Sequence, residues 1–233
     1  MMIKTWIFDI DNTLYNYDAA HQTAFQALTE DACRTLGLPA EAFSALHREA
    51  GRVQQDRAGR QSAAIHNRLI RYQILLEQIG QPISYAPQIA ERYWSTFLSH
   101  MRPAPGAEAC LSLLKRMGLP VGIGTNMTAE GQFAKLERLG LLRYVDFMVT
   151  SEEAGAEKPD ARLFGLCVRK AGCAAGACAF VGDSWKHDVS GARQAGLRPV
   201  WLSPDGQAPE ALPDVVRVRT LRELADLLPS FCE

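Results

Sequence analysis

A run of bulky, β-favouring residues, Trp6-Ile7-Phe8, stops abruptly at two acids, Asp9 and Asp11, and no other stretch constrains the chain as much. Three uninterrupted apolar residues suit a strand buried on both faces of a parallel sheet. Asp9 and Asp11 are two apart, so on strand geometry their carboxylates project to the same side. Carboxylates paired at a dry strand end repel, and both stay ionised only if a cation lies between them; otherwise one takes a proton. Asp9-Ile10-Asp11-Asn12 also has the composition of a turn, because Asp and Asn bond their own backbone, so this stretch alone leaves turn and site open. A calcium loop starting at Asp9 is excluded, since it needs glycine where Leu14 stands and a bidentate glutamate where Ala20 stands.

From Tyr17 to about Met101 every segment with a clear period is helical. Phe25, Leu28, Ala32 and Leu36 precede Gly37, and Pro39 opens a second helix carrying Phe43 and Leu46. Ile65, Leu69, Tyr72, Leu76 and Ile79 form a third stripe closed by Gly80 and Pro82; Ile89, Tyr93, Trp94, Phe97, Leu98 and Met101 form a fourth. Four amphipathic helices make a small bundle over residues 17–101. Between the second and third helices, Arg48, Arg52, Arg57 and Arg60 accompany Gly51 and Gly59, which are expected to interrupt any regular helix. These arginines either solvate a connector or supply a guanidinium that meets substrate beyond its phosphate.

After Pro103-Ala-Pro105-Gly106 the pattern changes to helix and strand in turn. Strands are expected at Leu119–Ile123, Phe147–Val149, Cys178–Val181, Pro199–Leu202 and Val215–Val218, with the intervening helices stopping at glycine, and Thr220 with Glu223 forms a capping box. The fold class is α/β: a Rossmann-like parallel sheet with helices on both faces, made of residues 1–16 and 102–233, interrupted by the helical bundle. Such sheets place ligands at the carboxyl ends of their strands.

The formal net charge of -1 provides no basic field to recruit nucleic acid polymers or anionic membrane. The six cysteines (Cys33, Cys110, Cys167, Cys173, Cys178, Cys232) contain no C-x-x-C pair, which favours reduced, mostly buried thiols over a zinc site at Cys167, Cys173 and Cys178. No stretch reads as a signal core or a membrane span, and the expected location is cytoplasmic.

Four strand ends or adjoining loops carry Asp9 with Asp11, Thr125 with Asn126, Lys158, and Asp183 with Asp188. In this order they resemble the four motifs of the haloacid dehalogenase superfamily: Asp-Ile-Asp-Asn-Thr, Thr125-Asn126, Lys158-Pro159-Asp160 and Gly-Asp-Ser-Trp-Lys-His-Asp. The resemblance covers essentially the whole chain and makes the helical insert a C1-type cap. It implies Asp9 as the nucleophile that becomes an aspartyl phosphate and Asp11 as general acid and base. Thr13 would brace the first loop, while Thr125, Asn126 and Lys158 would bind the phosphoryl group. Magnesium (Mg2+) would be held by Asp9, Asp183 and the backbone carbonyl of Asp11, with Asp188 and Ser184 in support.

Members that displace halide lack a carboxylate at the position of Asp11, so the resemblance implies a phosphomonoester hydrolase acting on a small phosphorylated metabolite. The start of the chain, the cap and the Gly-Asp-Ser ending are similar to 5'-nucleotidases, phosphoglycolate phosphatases and N-acylneuraminate 9-phosphatases, with the balance toward the nucleotidases. A phosphosugar mutase is the alternative within the superfamily. A non-catalytic phospho-accepting module also uses Asp, Thr, Lys and magnesium, but carries its acceptor on a later strand and lacks a large insert.

Overall fold

The computed structural model describes residues 2–59, 61–204 and 213–231. Arg60 and Cys232, named above, fall outside them. The described residues form two compact units, the chain leaving the first after Asn16 and returning to it at Arg102. β1 (Thr5–Phe8) is the apolar run, and all four of its residues are buried.

Among the described residues the second unit holds four α-helices: α1 (Tyr17–Leu36), α2 (Ala40–Ala58), α3 (Arg68–Gln78) and α4 (Ala86–His100). Ala20, Ala24, Leu28 and Ala32 form the buried face of α1 at helical spacing, the three alanines letting neighbours approach. Phe43, Tyr72, Tyr93 and Phe97 are fully buried and fill the core. Two expectations need correction. The stripe on α3 is rotated: Tyr72, Ile74, Leu75 and Leu76 are buried, whereas Leu69 is exposed, because the helix begins only at Arg68, behind an Asn67 cap that accepts from the Leu69 and Ile70 amides. Gly51 does not interrupt α2, which runs on to Ala58. Arg52 lies on its solvated face, paired with Glu49 at 2.7 Å and Asp56 at 3.7 Å, an arrangement of little net energy.

In the first unit the chain continues through α5 (Ala107–Arg116), β2 (Val121–Thr125), α6 (Ala129–Arg138), β3 (Phe147–Thr150), α7 (Ser151–Ala154) and α8 (Ala161–Ala171). It ends with β4 (Cys178–Gly182), a π-helix (Trp185–Val189), α9 (Ser190–Gln194), β5 (Arg198–Leu202), β6 (Val216–Val218) and α10 (Leu221–Leu227). The six strands are parallel in the order β3-β2-β1-β4-β5-β6, with Ile7 opposite Gly122 on one side and Phe180 on the other. Strand order therefore reverses about β1: the chain adds β2 and β3 on one side, then crosses to add β4, β5 and β6 on the other. That reversal opens a crevice beyond the carboxyl end of β1, which is where Asp9 lies.

Ile7, Val149, Leu163, Phe164, Cys167, Phe180 and Leu197 form the buried cluster beneath this crevice. Phe164 of α8 meets Phe180 of β4 edge to face at 5.1 Å. Cys110, Cys167 and Cys178 are buried free thiols, and Cys173 lies with its sulfur 3.4 Å from that of Cys178. Among the described residues no helix is long and apolar enough to cross a membrane.

Candidate active site

Strand pairing carries each motif to one end of the sheet. The Asp9 amide donates to Val181 O at 2.9 Å, extending the β1–β4 ladder by one residue. Asp183 follows the last residue of β4, and its carbonyl accepts from Trp201 Nε1 at 2.9 Å. Thr125 closes β2. Asn126 Oδ1 accepts from the Lys158 amide at 2.8 Å, so the second motif holds the backbone of the third.

Lys158 Nζ then lies 2.7 Å from Asp9 Oδ1 and 2.7 Å from Asp188 Oδ1. The other Asp188 oxygen accepts from the Ser184 amide at 2.9 Å, while Ser184 Oγ accepts from the His187 amide at 3.2 Å. Asp188 folds back so closely over Gly182 that a Cβ there would collide with its carboxyl group. Carboxylate oxygens of Asp9, Asp183 and Asp188 come within 4.8 Å of one another.

The charges in this crevice do not balance. Burial pushes Asp9 up to about 7, with the Asp188 and Asp11 charges adding to the rise and Lys158 opposing it. Burial and Asp188 push Asp183 up to about 6, again against Lys158. Burial alone would lower Lys158, but Asp188 and Asp9 outweigh it and the ammonium is held above its ordinary value. Three convergent carboxylates with one ammonium form a set of hard oxygen donors short of positive charge, which fits a small divalent cation.

Asp11 belongs to a different pair. β1 ends at Phe8, so strand alternation does not govern Asp11. Its carboxylate turns to Lys135 Nζ, at 2.7 and 2.9 Å, and accepts from the hydroxyl of Tyr15. Burial opposes ionisation, yet Lys135 and the Tyr15 hydroxyl prevail and hold this carboxyl below its usual range.

Sequence reasoning missed Lys135, which is fully buried. A signal existed: Gln132 and Lys135 are polar residues on the stripe that Leu136 and Leu139 define. Gln132, also fully buried, donates to Thr125 Oγ1 and to Asn126 O, both at 2.8 Å, and so fixes the second motif.

The loops themselves are strained. Asn12 and Met127, one residue past Asp11 and Asn126, take φ of 57° and 105°. The Met127 amide is held by Ser151 Oγ at 2.8 Å, and Ser151 donates in turn to Glu157 at 2.6 Å. Thr13 is fully buried, but its hydroxyl has no hydrogen-bond partner among the described residues; its amide ties the loop to Ile10 O at 3.2 Å.

A haloacid dehalogenase-like hydrolase model matches residues 3–196. The chain is 36% identical to a ribulose-1,5-bisphosphate 5-phosphatase of Halopiger xanaduensis, over 97% of this chain and 100% of that one. It is 30% identical to the pyrimidine 5'-nucleotidase YjjG of Escherichia coli, over 96% and 97% of the two chains. Among solved structures it is similar to a 2-haloacid dehalogenase of Pseudomonas syringae pv. tomato, with a TM-score of 0.77, 29% identity and coverage of 99% and 100%. The family match and these relatives agree with the four motifs assembled around β1: the chain belongs to the haloacid dehalogenase-like hydrolases, and within them it is a phosphatase.

Proposed function

We propose that the chain is a magnesium-dependent phosphomonoester hydrolase that works through an aspartyl phosphate on Asp9. The observation that carries this reading is the position of Lys158, bridging Asp9 and Asp188 at 2.7 Å each beside Asp183. A carboxylate at a strand end with an ammonium against it can approach phosphorus while the ammonium offsets charge on the phosphoryl oxygens.

In the first step an Asp9 oxygen bonds to phosphorus, and the bond to the ester oxygen breaks with its electron pair on the leaving group. Asp11 delivers a proton to that oxygen and then removes one from the water that hydrolyses the intermediate. By keeping Asp11 ionised, Lys135 favours the second of these roles. Thr125, Asn126 and the amides of their loop hold the phosphoryl oxygens. Magnesium bound by Asp9, Asp183 and the carbonyl of Asp11, with Asp188 and Ser184 behind them, would offset charge on the phosphoryl group. Thr13 packs the first loop from below, and the helical unit selects the substrate as a cap.

The two relatives act, by their names, on the 5-phosphate of a pentulose bisphosphate and on a pyrimidine 5'-nucleotide. A phosphate on the 5-position of a five-carbon sugar is common to both, and we take that ester as the substrate class. Phosphate release from ribulose 1,5-bisphosphate and from uridine 5'-monophosphate, with magnesium and with chelator, tests it. Magnesium-dependent release that Asp9→Asn abolishes in a folded protein is expected; substantial release by Asp9→Asn overturns the reading.

A further inference from the structure

Within the helical unit, two half-buried guanidinium groups are held by neutral partners. Arg68 Nη2 donates to the hydroxyls of Tyr17 and Tyr93 at 3.1 and 3.0 Å, and its guanidinium carbon lies 4.3 Å from the centre of the Tyr93 ring. Its Nη1 lies 3.5 Å from His47 Nε2. Arg71 donates from Nε to Gln54 Oε1 at 3.0 Å and from Nη2 to Ile65 O at 2.9 Å. The Arg71 guanidinium packs against α2 at Gly51, where a Cβ would stand 3.4 Å from Nε, at van der Waals contact. Among the described residues neither arginine has a carboxylate within ion-pair distance. Each keeps N–H donors that no described group accepts.

The neighbours do not supply the missing charge. Tyr93 accepts from Arg68, and its hydroxyl oxygen also lies 2.7 Å from His21 Nδ1. Burial and the Arg68 charge push His21 down to about 4 and His47 down to about 3, so both rings are neutral near pH 7. Asp18, near His21, is exposed. Tyr72 adds an independent sign. It is fully buried, its hydroxyl has no hydrogen-bond partner among the described residues, and it lies within the electrostatic reach of both arginines. Two half-buried cations without an anion and a buried hydroxyl without a partner are both complementary to one oxyanion.

We propose that Arg68, Arg71, Tyr17 and the Tyr72 hydroxyl form an oxyanion-binding site in the helical unit, for a phosphate or carboxylate group of a small metabolite. Binding there does not depend on the phosphatase reading above.

The test titrates inorganic pyrophosphate into the full chain calorimetrically in excess chelator, where the uncompensated carboxylates around Asp9 repel anions. Saturable binding is expected, weakened tenfold or more by Arg68→Gln or Arg71→Gln. Tyr72→Phe should weaken it threefold or more without lowering the melting temperature, because the hydroxyl has no protein partner to lose. Absence of saturable binding, or variants that bind as the parent does, overturns the proposal.

Discussion

Lys135 Nζ stands 2.7 and 2.9 Å from the two carboxylate oxygens of Asp11, a residue 124 positions earlier in the chain. The ammonium, fully buried on α6, has brought Asp11, the proposed acid/base group of the first motif, under the control of the helix that follows the second. Replacing it with an apolar residue leaves Asp11 to the desolvation that Lys135 now overcomes, so its ionisation moves to higher pH. In Lys135→Met we expect kcat near pH 7 to fall roughly tenfold or more, within the usual scale for general acid/base catalysis. Activity should be partly regained on the alkaline side, and Lys135→Arg should keep most of the parental profile. A pH–rate profile of Lys135→Met that superimposes on the parent's would show that the lysine only fills space.

The raised values of Asp9 and Asp183, about 7 and about 6, tie cation binding to proton release. Below pH 6 both carboxyls hold protons in the metal-free protein, and a divalent cation must displace them. Apparent magnesium affinity should therefore rise with pH up to about 7, by about tenfold per unit for each proton displaced, then level off. Calorimetry in buffers of different ionisation enthalpy reads the released protons directly. Affinity independent of pH between 5 and 7 would contradict it.

Acid should act in opposite senses on the two units. His21 and His47 are held near 4 and 3, below the ordinary histidine value of 6.5. The unfolded chain therefore binds more protons than the folded helical unit between pH 4 and 6.5, and that unit loses stability as pH falls. Asp9 and Asp183 are raised, so the metal-free sheet unit binds more protons than its unfolded chain and gains stability over the same fall. Hydrogen exchange of the metal-free protein at pH 4.5 and 7 should show protection dropping in α1–α4 and rising in β1 and β4. A uniform change across both units would refute the opposition.

Gly182 is the point where β4 touches Asp188. In Gly182→Ala the new methyl group displaces the Asp188 carboxylate, and with it one of the two acids that hold Lys158. Magnesium affinity should drop about tenfold to a hundredfold, the range seen when groups that orient metal ligands are disturbed. Titration of the folded variant reads this, and parental affinity would mean that Asp188 gives way without consequence.

Much of this arrangement was legible in the sequence, because parallel strands and their terminal acids are local signals. Trp6-Ile7-Phe8 followed by Asp9, and Cys178 to Val181 followed by Gly182-Asp183, each combine a buried strand with polar residues where the ladder ends. Lys135 was not legible by the same means: its partner is distant in sequence, and a lysine in a helix reads by default as solvated. Arg68 and Arg71 escaped for a related reason. The connector arginines drew notice because glycines surround them, but Gly51 lies inside α2 with the Arg71 side chain packed against it rather than ending the helix. Glycine in a sequence signals missing bulk, and only packing tells whether a turn or a neighbour uses the space.

Between Ser184 and Val189 the chain winds one residue wider than an α-helix: the amides of both Asp188 and Val189 reach the Ser184 carbonyl, at 2.8 and 3.2 Å. The phase of Asp188 depends on that extra residue. Deleting any one of Trp185, Lys186 or His187 would let the turn relax to α-helical winding and swing the next side chain through about 100° around the axis. Asp188 would then leave Lys158, although every residue touching the phosphoryl site remained in the chain. Trp185 packs on Trp201 and His187 Nδ1 lies 2.8 Å from Lys158 O, so only the exposed Lys186 can vary freely in composition while the length of the segment is fixed, and insertions and deletions here should be far more damaging than substitutions at Lys186.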